Sequence, residues 1–247
     1  MVFLHGFSGT HKSWSEVLDR LGAAAIAVDL PGHGKSTFNN LELEYNTDMW
    51  CEDFSRILDF LELEKISLCG YSMGGRLALS FALKYPEKIS KLILESASYG
   101  IDNKKNKEMR LQIDLELCKL IEKDLLEFVQ KWEGGKLFFK QEERNSKCFL
   151  IQREERLSHN PMQLSKALKS FSQGNMFSCK DKISNIRFPA LLINGSEDVK
   201  YAKIGREMLI LSKYIKQHIV CRAGHNVHLE RAAHFTELIK HYFLCSN

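Results

Sequence analysis

The chain has 247 residues, of which 44% are hydrophobic and 27% charged, and its formal net charge is +4 at pH 7. These totals are typical of one ordinary globular domain and leave no apolar run long enough to span a bilayer. Lys and Arg are interleaved with Asp and Glu and form no basic run, so we expect no nucleic-acid partner and no membrane insertion, whereas a small anionic substrate is compatible with the charge.

The N-terminus reads "MVFLHGF" and lacks the basic region and hydrophobic stretch of a secretory signal. Seven cysteines are scattered along the chain without a CxxC pair, a pattern typical of free thiols in a reducing compartment. We therefore expect a cytoplasmic protein, acting as a monomer or weak oligomer, that binds no metal.

Short apolar runs, each ended by a turn signal, recur along the chain. In order they are "MVFL", "AIAVDL", "ISLCG", "KLILES", "ALLING" and "HIVCRAGH". Helix-length amphipathic segments lie between them, such as residues 48–63. This alternation predicts an α/β fold with a mostly parallel sheet and helices on both of its faces.

One segment interrupts the alternation, because residues 102–187 are highly charged and have helical patterns. We predict that this segment is a helical cap inserted over the sheet. Residues 1–101 and 188–247 then form a core that is discontinuous in sequence.

The clearest helix of the predicted cap extends from Asn160 to Gly174. Asn160 is a good N-cap, Pro161 suits the first helical position, and Gly174 is a stop signal. The apolar positions of this helix fall on one face, at Leu164, Ala167, Leu168 and Phe171.

The stretch "GYSMG", residues 70–74, has the GxSxG pattern of a serine on a sharp turn between a strand and a helix. A serine hydroxyl is inert unless a histidine takes its proton and an acid orients that histidine. Asp198 follows "ALLING" and His225 follows the last apolar run, which is the order this arrangement requires. We therefore predict a catalytic triad of Ser72, Asp198 and His225.

Other interpretations exist for the neighbours of the triad. Asp198 could simply cap a helix, in which case Glu197 or Glu95 would be the acid. His228 is interpreted as a packing residue beside the site, and His33 as a residue that orders a loop.

Two backbone N–H groups, those of Phe7 and Met73, are predicted to form an oxyanion hole. Arg76 is unexpected, because a cation in the first turn of a helix is mildly disfavoured. Helical side chains lean toward the N-terminus, so the Arg76 guanidinium is expected to reach the serine pocket and bind a substrate carboxylate. The alternative is an ion pair with an acid under the cap.

With these residues in place, the chain resembles the 2-succinyl-6-hydroxy-2,4-cyclohexadiene-1-carboxylate synthases of menaquinone biosynthesis, which are lyases of the α/β-hydrolase fold. The matching segments are "VFLHGFSGTHKSW", "VDLPGHGKS", "GYSMGGRLAL", "LILESAS", "RLSHNPMQL", "EDVKY" and "AGHNVHLE". The GxSxG and histidine segments are widespread in the superfamily, so "GGR" and "RLSHNP" carry most of the resemblance.

The resemblance implies that the triad acts as a base on 2-succinyl-5-enolpyruvyl-6-hydroxy-3-cyclohexene-1-carboxylate, which then eliminates pyruvate without a cofactor. This substrate has three carboxylates, so a cluster of arginines is expected around it. Carried over position by position, the implied substrate-binding residues are Tyr71, Arg76, Arg110, Trp132, Arg156 and Lys200.

The chain also departs from the family pattern. "WEGGKLFF" replaces a proline-containing stretch, "SQGNMF" a glycine-threonine-glycine segment, and "SASYG" the usual "SASPG".

Two other functions compete with the synthase. One is a carboxylesterase or C–C bond hydrolase that uses Ser72 covalently and needs no arginine cluster. The other is a non-catalytic binding protein, against which the intact triad argues.

Overall fold

The structure is a computed structural model that describes residues 1–138 and 140–244, so Cys245 lies outside the described residues. Among these residues, six strands form one sheet in which all neighbours pair in parallel. In chain order they are β1 (Val2–Leu4), β2 (Ile26–Val28), β3 (Ile66–Tyr71), β4 (Ile89–Glu95), β5 (Ala190–Gly195) and β6 (Ile215–Val220). Their spatial order is β2-β1-β3-β4-β5-β6.

The direction of winding reverses between β1 and β3. The chain passes from β1 to β2 on one side, then returns to the other side of β1 for β3 and continues outward. Open α/β sheets bind their ligands in the crevice at the carboxyl ends of strands at such a point. The turns that follow these two strands contain Phe7 and Ser72, so the fold places both at the expected crevice.

Helices cover both faces of the sheet and form the insertion between β4 and β5. In chain order they are α1 (Ser15–Leu21), α2 (Thr47–Phe60), α3 (Met73–Lys84), α4 (Lys104–Lys123), α5 (Leu125–Glu133), α6 (Gln141–Arg144), α7 (Ser146–Leu157), α8 (Pro161–Ser170), α9 (Val199–Leu211), α10 (Val227–Glu230) and α11 (Ala232–Leu244). None of the helices in the described ranges is both long and apolar enough to cross a membrane.

Alternate side chains of each strand pack on opposite faces of the sheet. On β1, Leu4 joins a core cluster with residues of α2, α3 and α9, whereas Phe3 joins a second cluster with residues of α1 and α11. This alternation is the reason that the strands appear in the sequence as continuous apolar runs. The predicted α/β-hydrolase fold, with a mostly parallel sheet and helices on both faces, is confirmed.

Helices α4 to α8 lie between β4 and β5 in the chain, within the segment predicted to be a cap. They have an apolar cluster of their own, built around Cys118, Ile121, Phe128, Leu164 and Leu168. The exact limits of the cap, at residues 102 and 187, stay a prediction.

The cap helix α8 begins as predicted but ends earlier. The Asn160 side chain accepts hydrogen bonds from the N–H groups of Met162 and Gln163 at 3.0 and 3.1 Å. The prediction that Gly174 stops this helix is wrong, because α8 ends at Ser170. Gly174 instead allows close packing against α4, since a Cβ there would lie 2.7 Å from the Leu111 backbone nitrogen.

Candidate active site

Ser72 lies between β3 and α3 in a strained backbone conformation, with φ at 50° and ψ at −105°. Residues other than glycine rarely adopt positive φ, and such strain persists where the surroundings impose it. The Ser72 N–H donates to the Glu95 carbonyl on β4 at 2.9 Å. At Gly74, a Cβ would lie 2.4 Å from the His5 carbonyl oxygen. The tight packing of this turn against β1 therefore requires glycine and holds Ser72 at the sheet edge.

The three residues of the predicted triad are hydrogen-bonded in series. Ser72 Oγ lies 3.0 Å from His225 Nε2, and His225 Nδ1 lies 2.7 Å from Asp198 Oδ2. Asp198 and His225 are only 7% and 2% exposed. In this arrangement Nδ1–H donates to the carboxylate, which leaves Nε2 as the acceptor for the Ser72 proton.

The two alternative acids have other partners. Glu95 is fully buried and accepts hydrogen bonds from the backbone N–H and Nδ1–H of His228, at 3.0 and 2.7 Å. The His228 ring stacks on Trp14 with centroids 4.0 Å apart. Glu197 forms an ion pair with Arg144. Both carboxylates are therefore bound to groups other than His225.

Buried histidines hold the turn that carries Phe7. His5 Nδ1–H donates to the next carbonyl along the chain at 2.7 Å, and its Nε2 accepts from the Leu30 N–H at 2.9 Å. His33 Nε2 accepts from the Ser8 N–H at 3.1 Å. These bonds require neutral imidazoles, because in each ring Nε2 is the acceptor.

A small cavity lies beside Ser72, between the sheet edge and the cap helices. Its volume is about 40 Å³, far below the roughly 300 to 1,000 Å³ of ligand pockets. Its walls are formed by Phe7, Tyr71, Ser72, Met73, Arg76, Arg110, Trp132, Leu137, Phe138, Leu168, Phe171, Gln173, Tyr201 and His225. Both residues of the predicted oxyanion hole belong to this set. Because the space is so small, a ligand of ordinary size requires the walls of the cavity to move apart.

Arg76 is 6% exposed and lies one turn beyond Ser72. Its Nη2 donates to the Phe171 carbonyl at 2.8 Å, and its Nε donates to Met176 Sδ at 3.3 Å. Within the described parts of the chain, the alternative ion pair with an acid under the cap is not found. Burial is the largest cause that lowers the pKa of Arg76, to about 10, so the guanidinium is charged at neutral pH. A buried cation with neutral acceptors is suited to a ligand carboxylate.

Three more of the predicted binding residues line the cavity. Arg110 projects from α4, and its Nε donates to Asp114 Oδ1 at 2.9 Å. Trp132 is on the wall that faces Phe7, with ring centroids 5.5 Å apart. Tyr71 is buried, and its ring lies 5.4 Å from that of the triad histidine.

The structure does not bring Arg156 and Lys200 to the cavity. Arg156 is 1% exposed, and its guanidinium is bound to Glu133 at 2.8 Å and lies 4.9 Å from the centre of the Phe138 ring. Lys200 is exposed in the first turn of α9, with its Nζ 5.2 Å from the centre of the Tyr201 ring. A role for either residue in binding stays a prediction.

Two polar residues of the cavity, Gln173 and Tyr201, were not among the predicted site residues. Gln173 lies in "SQGNMF", and the departure of that segment from the family pattern was the signal that could have identified it. Tyr201 ends "EDVKY", a segment whose predicted site residues are Asp198 and Lys200.

The fold and the hydrogen-bonded triad define an enzyme of the α/β-hydrolase class, and residues 1–232 match the alpha/beta hydrolase fold family. A Bacillus subtilis (strain 168) protein with the provisional name 2-succinyl-6-hydroxy-2,4-cyclohexadiene-1-carboxylate synthase is 35% identical, over 98% of this chain and 89% of its own. The synthase of that name from Enterobacter sp. (strain 638) is 27% identical, over 94% of this chain and 87% of its own.

A solved structure of MenH from S. aureus is also similar, with a TM-score of 0.91 and 32% identity. The match covers 96% of this chain and 90% of that one. The chain therefore belongs to the 2-succinyl-6-hydroxy-2,4-cyclohexadiene-1-carboxylate synthase family.

Proposed function

We propose that this enzyme is a carbon–oxygen lyase of menaquinone biosynthesis. It eliminates pyruvate from 2-succinyl-5-enolpyruvyl-6-hydroxy-3-cyclohexene-1-carboxylate to give 2-succinyl-6-hydroxy-2,4-cyclohexadiene-1-carboxylate. The observation that carries the proposal is Arg76, a buried and charged guanidinium beside the triad that bonds a carbonyl and a thioether. A simple ester leaves that cation without a counter-ion, whereas a carboxylate substrate supplies one. The names of the relatives support the same activity.

In the proposed reaction the triad removes the proton from ring carbon 2, which is acidic because it adjoins the succinyl carbonyl. His225, oriented by Asp198, takes the proton of Ser72 Oγ as that oxygen takes the ring proton. The electron pair of the broken C–H bond forms the 2,3 double bond, and the 3,4 double bond moves to the 4,5 position. The bond between ring carbon 5 and the enolpyruvyl oxygen then breaks, the departing enolate takes up a proton to become pyruvate, and His225 gives up the proton that it gained. The atoms and electrons balance without an oxidant, a reductant or a cofactor.

Negative charge develops on the succinyl carbonyl oxygen as the proton leaves. We assign its stabilisation to the N–H groups of Phe7 and Met73, which follow β1 and Ser72 respectively. Donors fixed in advance at such a position lower the barrier because they need no reorganisation during the reaction.

The three carboxylates of the substrate need cationic partners. Arg76 and Arg110 line the cavity and are proposed to bind two of them. Arg156 lies behind Phe138, so its proposed contact with substrate requires the Phe138 ring to move aside. The proposed contact with Lys200 requires the ligand to extend to the exposed start of α9.

The proposal is tested by supplying isochorismate, 2-oxoglutarate and the preceding enzyme of the pathway, then measuring the release of pyruvate. Hydrolysis of an aryl ester by the same preparation is measured in parallel. We expect pyruvate release that depends on Ser72, with slow ester turnover. Rapid ester hydrolysis without any pyruvate would overturn the synthase assignment.

The second candidate, a carboxylesterase or C–C bond hydrolase, is favoured by the strained turn at Ser72, which also suits a covalent nucleophile. The two functions differ in the state of Ser72 during turnover. Intact-protein mass spectrometry on the quenched reaction should show unmodified enzyme if Ser72 acts as part of the base that removes the ring proton. An adduct on Ser72 indicates the hydrolase.

We also propose that the enzyme acts in the cytoplasm as a monomer or weak oligomer. The described cysteines, among them the buried Cys51, Cys69 and Cys118, are free thiols, as is usual in a reducing compartment. Light scattering on the purified enzyme measures the oligomeric state, and a stable higher oligomer would contradict the second part of the proposal.

A further inference from the structure

Two polar side chains of the cavity have no part in the proposed elimination. Gln173 lies between α8 and β5, and Tyr201 is the third residue of α9. Both residues are 3% exposed and both line the cavity beside Ser72. Gln173 Nε2 donates to Tyr201 Oη at 3.5 Å, which is at the outer limit of a hydrogen bond.

The pair keeps hydrogen-bonding capacity for another group. A glutamine side chain offers two N–H donors and a carbonyl acceptor, and a phenol both donates and accepts. Within the described residues, the long contact between Gln173 and Tyr201 is the only side-chain hydrogen bond of either one. Buried polar groups are nearly always better satisfied than this. The two side chains therefore form a neutral wall of the cavity that can still donate to and accept from a ligand.

The position of Tyr201 connects this wall with both functional parts of the site. The centroid of its ring lies 4.6 Å from that of His225. Tyr201 and Arg76 line the same cavity, and an ionised phenol at Tyr201 would raise the pKa of the Arg76 guanidinium. A ligand atom bound by Tyr201 therefore lies near both the histidine that accepts the proton and the cation that binds a carboxylate.

We propose that Gln173 and Tyr201 form a subsite for the ring hydroxyl of the substrate. This inference rests on the proposed function. The pair is uncharged, so it suits a neutral oxygen, while the carboxylates bind better to Arg76 and Arg110. Among the neutral oxygens of the substrate, the succinyl carbonyl faces the oxyanion hole and the ether oxygen leaves with pyruvate. The 6-hydroxyl remains, and it both donates and accepts, as the pair does.

The test compares the natural substrate with its 6-deoxy analogue and measures kcat/KM for pyruvate release. Tyr201→Phe removes one oxygen and keeps the ring, and Gln173→Met keeps the approximate volume without the amide. We expect each variant to lose about tenfold on the natural substrate and to match the wild type on the analogue, because the lost hydrogen bond exists only with the hydroxyl.

The matched control is Tyr99→Phe. This variant also removes a phenol oxygen, which donates to Glu207 at 2.5 Å away from the cavity, so it should match the wild type on both substrates. Equal losses on the two substrates, or no loss on either, would overturn the subsite and leave the proposed function intact. If the wild type releases pyruvate from neither substrate, the proposed function fails and the subsite fails with it. If Gln173→Met does not fold, Tyr201→Phe decides the question alone.

Discussion

Arg76 is buried in the first turn of α3, where the positive end of the helix dipole disfavours a cation. Burial adds a second cost, which appears in the lowered pKa of the guanidinium. The Phe171 carbonyl and the Met176 thioether offset only part of these costs, because neither acceptor is charged. A carboxylate beside the guanidinium would offset more, so the proposed contact with a substrate carboxylate would make the position of this arginine favourable.

We expect Arg76→Ala to lower kcat/KM for pyruvate release about 100-fold, since the variant leaves a substrate carboxylate without its charged donor. Hydrolysis of a neutral aryl ester should change little. The control is Arg20→Ala, which removes an exposed cation paired with Glu16 at 3.0 Å and should leave both activities near the wild type. A parallel loss of both activities in Arg76→Ala would show that the arginine is needed for the shape of the site instead.

The assignment of Asp198 is also testable at a single atom. Asp198→Asn should lower kcat about a thousandfold or more, because the amide cannot hold His225 in the tautomer that accepts the Ser72 proton. Glu197→Gln, at the neighbouring exposed acid that pairs with Arg144, should keep nearly full activity. An active Asp198→Asn variant together with an inactive Glu95→Gln variant would transfer the role to Glu95. Steady-state kinetics of pyruvate release distinguish these results.

Helix α8 is the element that joins the cap to the core. The Gln163 side chain accepts from the Phe38 N–H at 2.7 Å and donates to the Phe38 carbonyl at 3.2 Å. Leu164 packs in the apolar cluster of the cap, and Ala167 packs in that of the core. The start of this helix therefore affects both parts of the molecule.

Asn160→Ala removes the acceptor for two N–H groups at the start of α8 and should lower the free energy of unfolding by about 1 kcal/mol. Asn160→Ser, which keeps a capping oxygen, should retain most of the stability. Urea unfolding followed by circular dichroism measures both. Equal stability of the Asn160→Ala variant and the wild type would mean that tertiary contacts, and not the cap, determine where the helix begins.

Elements with a strong local pattern were predictable from the sequence. The buried strands appear as apolar runs, and Asn160 followed by Pro161 marks the start of α8. The end of α8 was not predictable, because glycine is needed at position 174 for close packing against the backbone of α4 and does not mark the end of a helix. The sequence near position 174 contains no information about α4, which lies more than 50 residues earlier in the chain.

At the scale of the whole molecule, the site combines side chains that lie far apart in the sequence. The meeting of Ser72, Asp198 and His225 at one edge of the sheet was predictable because each follows a parallel strand. The pairing of Arg156 with Glu133 was not, since it depends on how α5 and α7 pack within the cap. Gln173 and Tyr201 have no motif of their own, and only the cavity that they share makes them candidates.

Buried neutral histidines hold the loops of the site, and we expect them to make the protein sensitive to acid. Burial is the largest cause that lowers the pKa of His5, to about 4, and it also lowers those of His33 and His159. His159 connects the cap to the core, since its Nε2–H donates to the Ser8 carbonyl at 3.1 Å. Protonation of His5 or His33 would remove the nitrogen acceptor for the N–H of Leu30 or Ser8.

We therefore expect the free energy of unfolding to fall as the pH drops from about 6.5 to about 4. Above this window the histidines are neutral in both states, whereas within it the unfolded chain binds protons that the folded chain does not. For His5 alone, the loss amounts to about 3 kcal/mol by the lower end of the window. Urea unfolding at several pH values measures the slope. His5→Gln should reduce that slope, because the amide does not titrate, whereas the exposed His234→Gln should leave it closer to the wild type. A free energy of unfolding that stays constant from pH 6.5 to 4 would contradict the neutral, buried state of these rings.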